Sequence, residues 1–204
     1  FSPGILPNNT ILSITEDHQK MLWLGTRNGL ARLDMKTRNF NTFFIKGDAF
    51  RTIYTMYTST DGTVWIGTDG GLTRYNEKTN KFETYTQENS IFFDSDGRQS
   101  TDCNISVKSI IEDKKGNLYL GTWSDGVLKF NPKKRTFQRY DKINNTNSAY
   151  SLLLDSKGRL WIGSWGEGIQ MIPHPEQGPR AEHLTIPINA TGFYTFYKII
   201  EDPI

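Results

Sequence analysis

Two short stretches, "GTWSDG" and "GSWGEG", each set a tryptophan two residues ahead of a carboxylate: Trp123 with Asp125, and Trp165 with Glu167. That pairing suits sugar recognition. An indole offers a flat apolar face to sugar C–H groups, and a neighbouring carboxylate accepts hydroxyl hydrogen bonds and fixes orientation. The same carboxylates invite a comparison with glycoside hydrolases, which use two carboxyl groups about 5–9 Å apart across the scissile bond. Polar turns of this kind give no reason for the raised pKa that a general acid needs. A plainer reading stands beside the sugar platform: both tryptophans pack between sheets, since large aromatics are buried on average. Their exposure decides between the two.

Arg27 and Asn28 in "GTRNG" and Asp69 in "GTDGG" hold the corresponding places in two sister phrases. They complete a set of ligand-binding candidates with Trp123, Asp125, Trp165 and Glu167. A second candidate is the long stretch "QENSIFFDSDGRQSTDCN", where Phe92, Phe93 and Arg98 suggest a lid or a partner-docking loop. Its "DSDG" lacks the later ligand positions of an EF-hand loop. "STDGTVW" is one residue short of the spacing of a sialidase Asp-box. His18, His174 and His183 fall in turns or loops and support no Ser-His-Asp arrangement. Cys103 is the single cysteine, so no internal disulfide and no cysteine-rich zinc site can form. The expectation is no catalytic residue, no metal and no cofactor.

These phrases need elements to carry them, and the elements repeat. The aromatic of each W-x-G-T phrase is Trp23, Trp65, Tyr119 or Trp161, at intervals of 42, 54 and 42 residues. The longer interval contains the Phe92–Phe93 stretch. A period of about 40–45 residues belongs to four-stranded propeller blades. Each repeat opens with an alternating apolar strand ("ILSITED", "IYTMYTS", "VKSIIED", "YSLLLDS") and turns at Gly62, Gly116 or Gly158, with Lys20 in that place in the first repeat. The W-x-G-T strand follows, then a Gly-rich turn, a third strand ("GLARLD", "GLTRYN", "GVLKFN", "GIQMI") and an outer fourth. Short alternating strands between Gly and Asp turns argue for antiparallel sheet. Within the phrase, the aromatic is expected to pack between blades, the Gly to permit close approach of strands, and the Thr or Ser hydroxyl to satisfy a turn backbone group.

The predicted fold class is therefore all-β: a β-propeller fragment with repeats at 10–44, 51–86, 104–140 and 148–190, and the first strand of a fifth at 195–204. In the fourth repeat Pro173, Pro175 and Pro179 are expected to break the outer strand. Such an arc is expected either to be completed by further blades or to self-associate, because open sheet edges invite pairing. No signal peptide precedes "FSPGILPNN", so an exported origin would mean that the signal was cleaved or lies outside these 204 residues. With 24 basic and 22 acidic residues there is no charge footprint for nucleic acid, and no apolar run approaches the ~18 residues of a membrane helix. Four N-x-S/T sequons occur, at Asn8, Asn104, Asn144 and Asn189; they would have no glycosylation meaning if the protein were bacterial.

"ILSITEDHQKMLWLGTRNGLARLDMKTRNFNTF" and "VKSIIEDKKGNLYLGTWSDGVLKFNPKKRTFQRY" resemble the two-component regulator propeller repeat. The second repeat departs from that pattern at "TSTDG", where the Glu-Asp pair is missing. The resemblance implies a periplasmic sensor domain of the kind carried by Bacteroides-type hybrid two-component histidine kinases, the ectodomain of an inner-membrane receptor. It implies an oligosaccharide ligand from polysaccharide breakdown, with the kinase elsewhere in the parent chain. A protein-interaction or dimerisation propeller without a small ligand is the alternative, and a propeller glycoside hydrolase a third.

Overall fold

The computed structural model describes residues 6–140, 148–166, 168–179, 182, 184–186 and 195–202. By compactness the chain divides into two units, Phe1–Thr86 and Gln87–Ile204. The first unit holds two four-stranded antiparallel sheets in simple up-and-down order. One contains β1 (Ile11–Glu16), β2 (Met21–Thr26), β3 (Gly29–Asp34) and β4 (Phe40–Phe43); the other, β5 (Thr55–Thr58), β6 (Val64–Thr68), β7 (Gly71–Asn76) and β8 (Lys81–Tyr85).

In the second unit, β9 (Ile91–Phe93) and β10 (Gln99–Ser100) form a hairpin. The third sheet follows as β11 (Val107–Glu112), β12 (Leu118–Thr122), β13 (Val127–Asn131) and β14 (Thr136–Arg139). β9 pairs in parallel with β14, so the hairpin widens this sheet to six strands. The fourth sheet is β15 (Ala149–Leu154), β16 (Leu160–Ser164), β17 (Ile169–Ile172) and β18 (Leu184–Ile186). The proline-rich stretch delays this outer strand without abolishing it. β18 pairs with β17 after an excursion containing a 3-10 turn at Pro175–Gln177.

Each unit is held by an aromatic core between its two sheets. Trp23 is fully buried among Leu30, Ile53, Met56, Val64 and Ile66, and its ring lies 4.8 Å from that of Tyr75 and 5.5 Å from that of Phe43. Tyr119 takes the same place in the second unit, against Tyr140, Leu152, Leu160 and Ile162. A buried indole N–H needs an acceptor, and the residue just past each of three first strands supplies it. Trp23 Nε1 donates to Asp17 at 2.8 Å, Trp161 to Asp155 at 2.8 Å and Trp65 to Ser59 at 2.7 Å. Where Tyr119 replaces Trp, Asp113 instead accepts from Asn117 Nδ2.

The same carboxylates accept turn N–H groups, from Gln19 and Met21 at Asp17 and from Lys157 and Arg159 at Asp155. Burial alone would raise the pKa of Asp17; the indole, the Met21 N–H and the Arg32 guanidinium outweigh it and hold the carboxyl below its usual range. Asp113 and Asp155 are lowered in the same way, against burial, by the hydrogen bonds they accept.

The turn that follows needs a left-handed residue. Gly62, Gly116 and Gly158 supply it at φ near 80°, and Lys20 adopts φ 66° in the first repeat at the steric cost of a Cβ. The glycine of the W-x-G-T phrase answers a different demand, close approach. A Cβ on Gly121 would meet the Ala149 carbonyl oxygen at 2.5 Å, and one on Gly25 would meet Ile53 Cγ2 at 2.6 Å. The hydroxyls after these glycines close the next turn: Thr26 donates to the Gly29 carbonyl, Thr68 to Gly71, Thr122 to Gly126 and Ser164 to Gly168. In the last two the loop is one residue longer.

Beyond β18 the chain returns to the fourth sheet. Phe196 N–H donates to the Ser164 carbonyl, the contact that Ile53 N–H makes with Thr26 ahead of β5. Residues 195–202 make one isolated bridge, Thr195 to Trp165, and no ladder. The remaining positions of the expected fifth strand, 203 and 204, lie outside the described residues. Among the described residues no helix is long and apolar enough to cross a membrane.

Candidate functional site

Three of the four sheets carry a β-bulge at the start of their first strand, with one unpaired residue each: Leu12, Lys108 and Tyr150. A bulge re-aims its extra residue away from the ladder. In the second unit this brings Lys108 and Tyr150 to the end of the sheets where the longer β12–β13 and β16–β17 loops emerge. Trp123 and Trp165 lead those loops. Trp123 is positioned by its N–H, which donates to the Ser106 carbonyl at 3.0 Å; Trp165 by its bridge to Thr195.

The four rings form one cluster. Trp123 and Trp165 lie 5.4 Å apart between centroids, tilted by 57°. Tyr150 touches both, at 6.3 and 5.6 Å, and meets Tyr197 edge-on at 5.3 Å. Trp165 and Tyr197 are perpendicular at 6.1 Å. Lys108 Nζ stands 5.9 Å from the Trp123 ring centre on a cation–π path. Trp123 is 44% exposed and Tyr197 65%, while Trp165 and Tyr150 are half-buried beneath them. Burial, and then the neighbouring Tyr197, raise the Tyr150 phenol pKa. Neither tryptophan is lost between sheets. Together with Tyr150 and Tyr197 they present an aromatic patch.

Asp125 stands differently from the sequence expectation. Its side chain folds back: one oxygen takes the Arg139 guanidinium at 2.6 Å, and the other accepts the Asn104 N–H in a short hydrogen bond. Burial raises its pKa more than Asn104 and Arg139 lower it. Both oxygens are thus engaged in fastening the loop, with 12% of the side chain exposed. The neighbouring Cys103 is buried, and its thiol is pushed up to about 12. Glu167 lies outside the described residues.

The remaining candidates sit in the first unit's hairpins. Arg27 is exposed, Asn28 donates its backbone N–H to Thr26 Oγ1, and Asp69 accepts the Tyr54 hydroxyl at 2.8 Å. Tyr54 occupies the place there that Tyr150 holds in the fourth sheet. Sequence reasoning missed Tyr150 and Tyr197. The signal was available: each stands five residues before Asp155 or Asp202, in register with Lys108 before Asp113.

The proposed lid loop is corrected. Phe92 is 3% exposed and stacks on Phe137 at 4.5 Å with rings 4° from parallel, because β9 continues the third sheet. Phe93 is half-buried in register with Gln138, and Arg98 pairs with Asp96 across a turn that Asp94 closes by accepting the Arg98 N–H. Among the described residues no three His, Cys, Asp or Glu side chains gather to hold a metal ion.

Comparison with known proteins agrees with this architecture. The family model for the two-component regulator propeller matches four times, at residues 5–28, 48–70, 101–124 and 144–166. No curated protein sequence matches. Among solved structures, an extracellular domain assigned to a hybrid two-component system of B. thetaiotaomicron is similar over 87% of this chain and 25% of its own, at 22% identity and TM-score 0.70. Virginiamycin B lyase from Staphylococcus aureus is similar over 94% of this chain and 61% of its own, at 17% identity and TM-score 0.71. An auxiliary nutrient binding protein from Bacteroides thetaiotaomicron follows at 11% identity and TM-score 0.63, over 86% of this chain and 41% of its own. The chain thus spans a quarter of the first of these and about three-fifths of the second. At such identities the shared property is the β-propeller fold. Each family match ends in the hairpin between the second and third strands of its own sheet, so the chain carries the two-component regulator propeller repeat four times.

Proposed function

We propose that this chain is a ligand-sensing portion of an extracytoplasmic propeller in a hybrid two-component receptor, and that its ligand is an oligosaccharide resting on Trp123, Tyr150, Trp165 and Tyr197. The observation that carries the reading is the exposed aromatic cluster. Its rings supply apolar faces for sugar C–H groups, and its two tyrosine hydroxyls bring a donor and acceptors. The four repeat matches and the likeness to an extracellular domain of a two-component system support the sensing role and a periplasmic location. Occupancy would act on the receptor only through a difference in ligand affinity between its signalling states.

The reading is non-catalytic. Although the fold is shared with a lyase, Asp125 is tied to Arg139 and Asn104, and His174 lies beyond β17, at the end of the fourth sheet away from the aromatic cluster. A second reading has its own support: exposed Trp and Tyr are the residue types that anchor protein interfaces, so the patch would also suit a partner protein.

A thermal-shift screen of the 204-residue chain against an oligosaccharide panel separates these readings. A sugar at 100 times its Kd adds about 2.7 kcal/mol, and at roughly 2–4 °C per kcal/mol for this size the melting point rises by about 5–11 °C. Trp123→Ala should remove the rise. If no sugar raises the melting point, or the rise survives that substitution, the oligosaccharide reading fails.

A further inference from the structure

The end of the second unit away from the aromatic cluster carries a cleft that internal comparison of the repeats makes interpretable. In each repeat the third strand sets one residue opposite the anchor aromatic: Arg32 opposite Trp23, and Lys129 opposite Tyr119. Arg32 is fully answered. Its guanidinium takes Asp17 at 2.8 Å, Gln19 at 2.7 Å and, from just beyond β7 on the next sheet, Glu77 at 3.1 Å. Lys129 has less. Its ammonium stands 3.4 Å from Asp113 and 3.1 Å from the Tyr119 hydroxyl.

The strand registers, Val64 with Tyr75 and Leu160 with Ile172, place His174 where the next sheet would offer the counterpart of Glu77. His174 is exposed, with Nδ1 3.4 Å from Glu176. At this point a cavity of about 230 Å³ opens, walled by Tyr119, Leu154 and Pro175 and rimmed by Lys114, Lys115 and Lys157. Three carboxylates also face it. Asp155 is engaged by Trp161 and Arg159, Asp113 by Asn117 and the Lys115 N–H, and Glu176 lies beside His174.

We propose that this cleft binds a small organic carboxylate with a flat apolar body, its carboxylate standing to Lys129 as Glu77 stands to Arg32. The apolar walls accept the ring, and the rim lysines add long-range attraction. A volume below the roughly 300–1,000 Å³ of drug-sized pockets limits the ligand to about one ring with a short acidic tail. The cleft is separate from the aromatic cluster and does not depend on the oligosaccharide reading.

Calorimetric titration of the 204-residue chain with 3-phenylpropionate tests the proposal, with 3-phenylpropanol and propionate as controls. The acid should bind, both controls should bind at least tenfold more weakly, and added salt should weaken the acid alone. Lys129→Met should lower affinity at least tenfold, Lys157→Ala should lower it severalfold, Glu176→Gln should raise it, and Trp123→Ala should leave it unchanged. Absence of binding, equal binding of the alcohol, or undiminished binding in Lys157→Ala and in a folded Lys129→Met would overturn the proposal. Should Lys129→Met fail to fold, the Lys157 and Glu176 variants decide alone.

Discussion

Asp17 is the side chain whose removal should cost the first unit most for its size. It is 6% exposed and accepts the Gln19 and Met21 N–H groups, the Trp23 indole and two donors of Arg32. Asp17→Ala strands an indole N–H on a fully buried ring and removes the nearest counter-charge from a guanidinium that is 12% exposed. Breaking a buried charge pair costs about 3–5 kcal/mol. Arg32 keeps Gln19 and Glu77, which puts the expectation at about 3 kcal/mol, the lower end of that range.

The second repeat supplies a control built by the chain itself. Ser59 accepts the Trp65 indole while Arg74, opposite Trp65, pairs with Glu83, so Asp17→Ser should preserve the indole bond and cost about 1–2 kcal/mol less than alanine. Urea unfolding followed by tryptophan fluorescence and circular dichroism measures both. A double-mutant cycle with Trp23→Phe isolates the indole term. An alanine cost under about 1 kcal/mol, or a serine variant no better than alanine, would refute the argument that this carboxylate organises the turn.

Gly121→Ala should destabilise the second unit by about 1–3 kcal/mol, because the new methyl meets the Ala149 carbonyl oxygen and backbone cannot rotate aside; a melting point within about 1 °C of the parent would contradict the close-approach reading. Acid should act through Asp17, Asp113 and Asp155, whose folded pKa values are lowered. Their stabilisation is complete above the unfolded carboxylate value near 3.9 and is lost as pH falls through the lower folded values. Asp125, raised, works in the opposite sense. With Asp34 lowered too, the expected net effect is a urea midpoint that drops below about pH 4, and Asp155→Asn should flatten that drop; an unchanged acid limb in this variant would be evidence against the linkage.

The blades were legible because each repeats its own local grammar: alternation, a left-handed turn and a glycine where strands crowd. What escaped the reading were relations between distant residues. Nothing local in "SIFFDS" announces that Ile91–Phe93 will lie parallel to Thr136–Gln138 and bury Phe92 on Phe137. Asp125 looked outward because its loop is polar; Arg139, on the fourth strand, turns it inward. Tyr150 was hidden in an alternating apolar strand whose bulge, invisible in composition, moves it from the ladder to the exposed aromatic cluster.

The longer loops of the third and fourth sheets have a consequence for how such surfaces change. Trp23 faces Arg32 across a two-residue turn, and Tyr119 faces Lys129 across a longer one, with the strands on either side still paired in step. The extra residue is absorbed wholly at the tip. A repeat of this kind separates its vocabulary from its syntax: "TRNG" can become "TWSDG" without any strand being asked to slip. Recognition on such a frame can be edited one hairpin at a time, so an aromatic face and a polar one can coexist in the same chain.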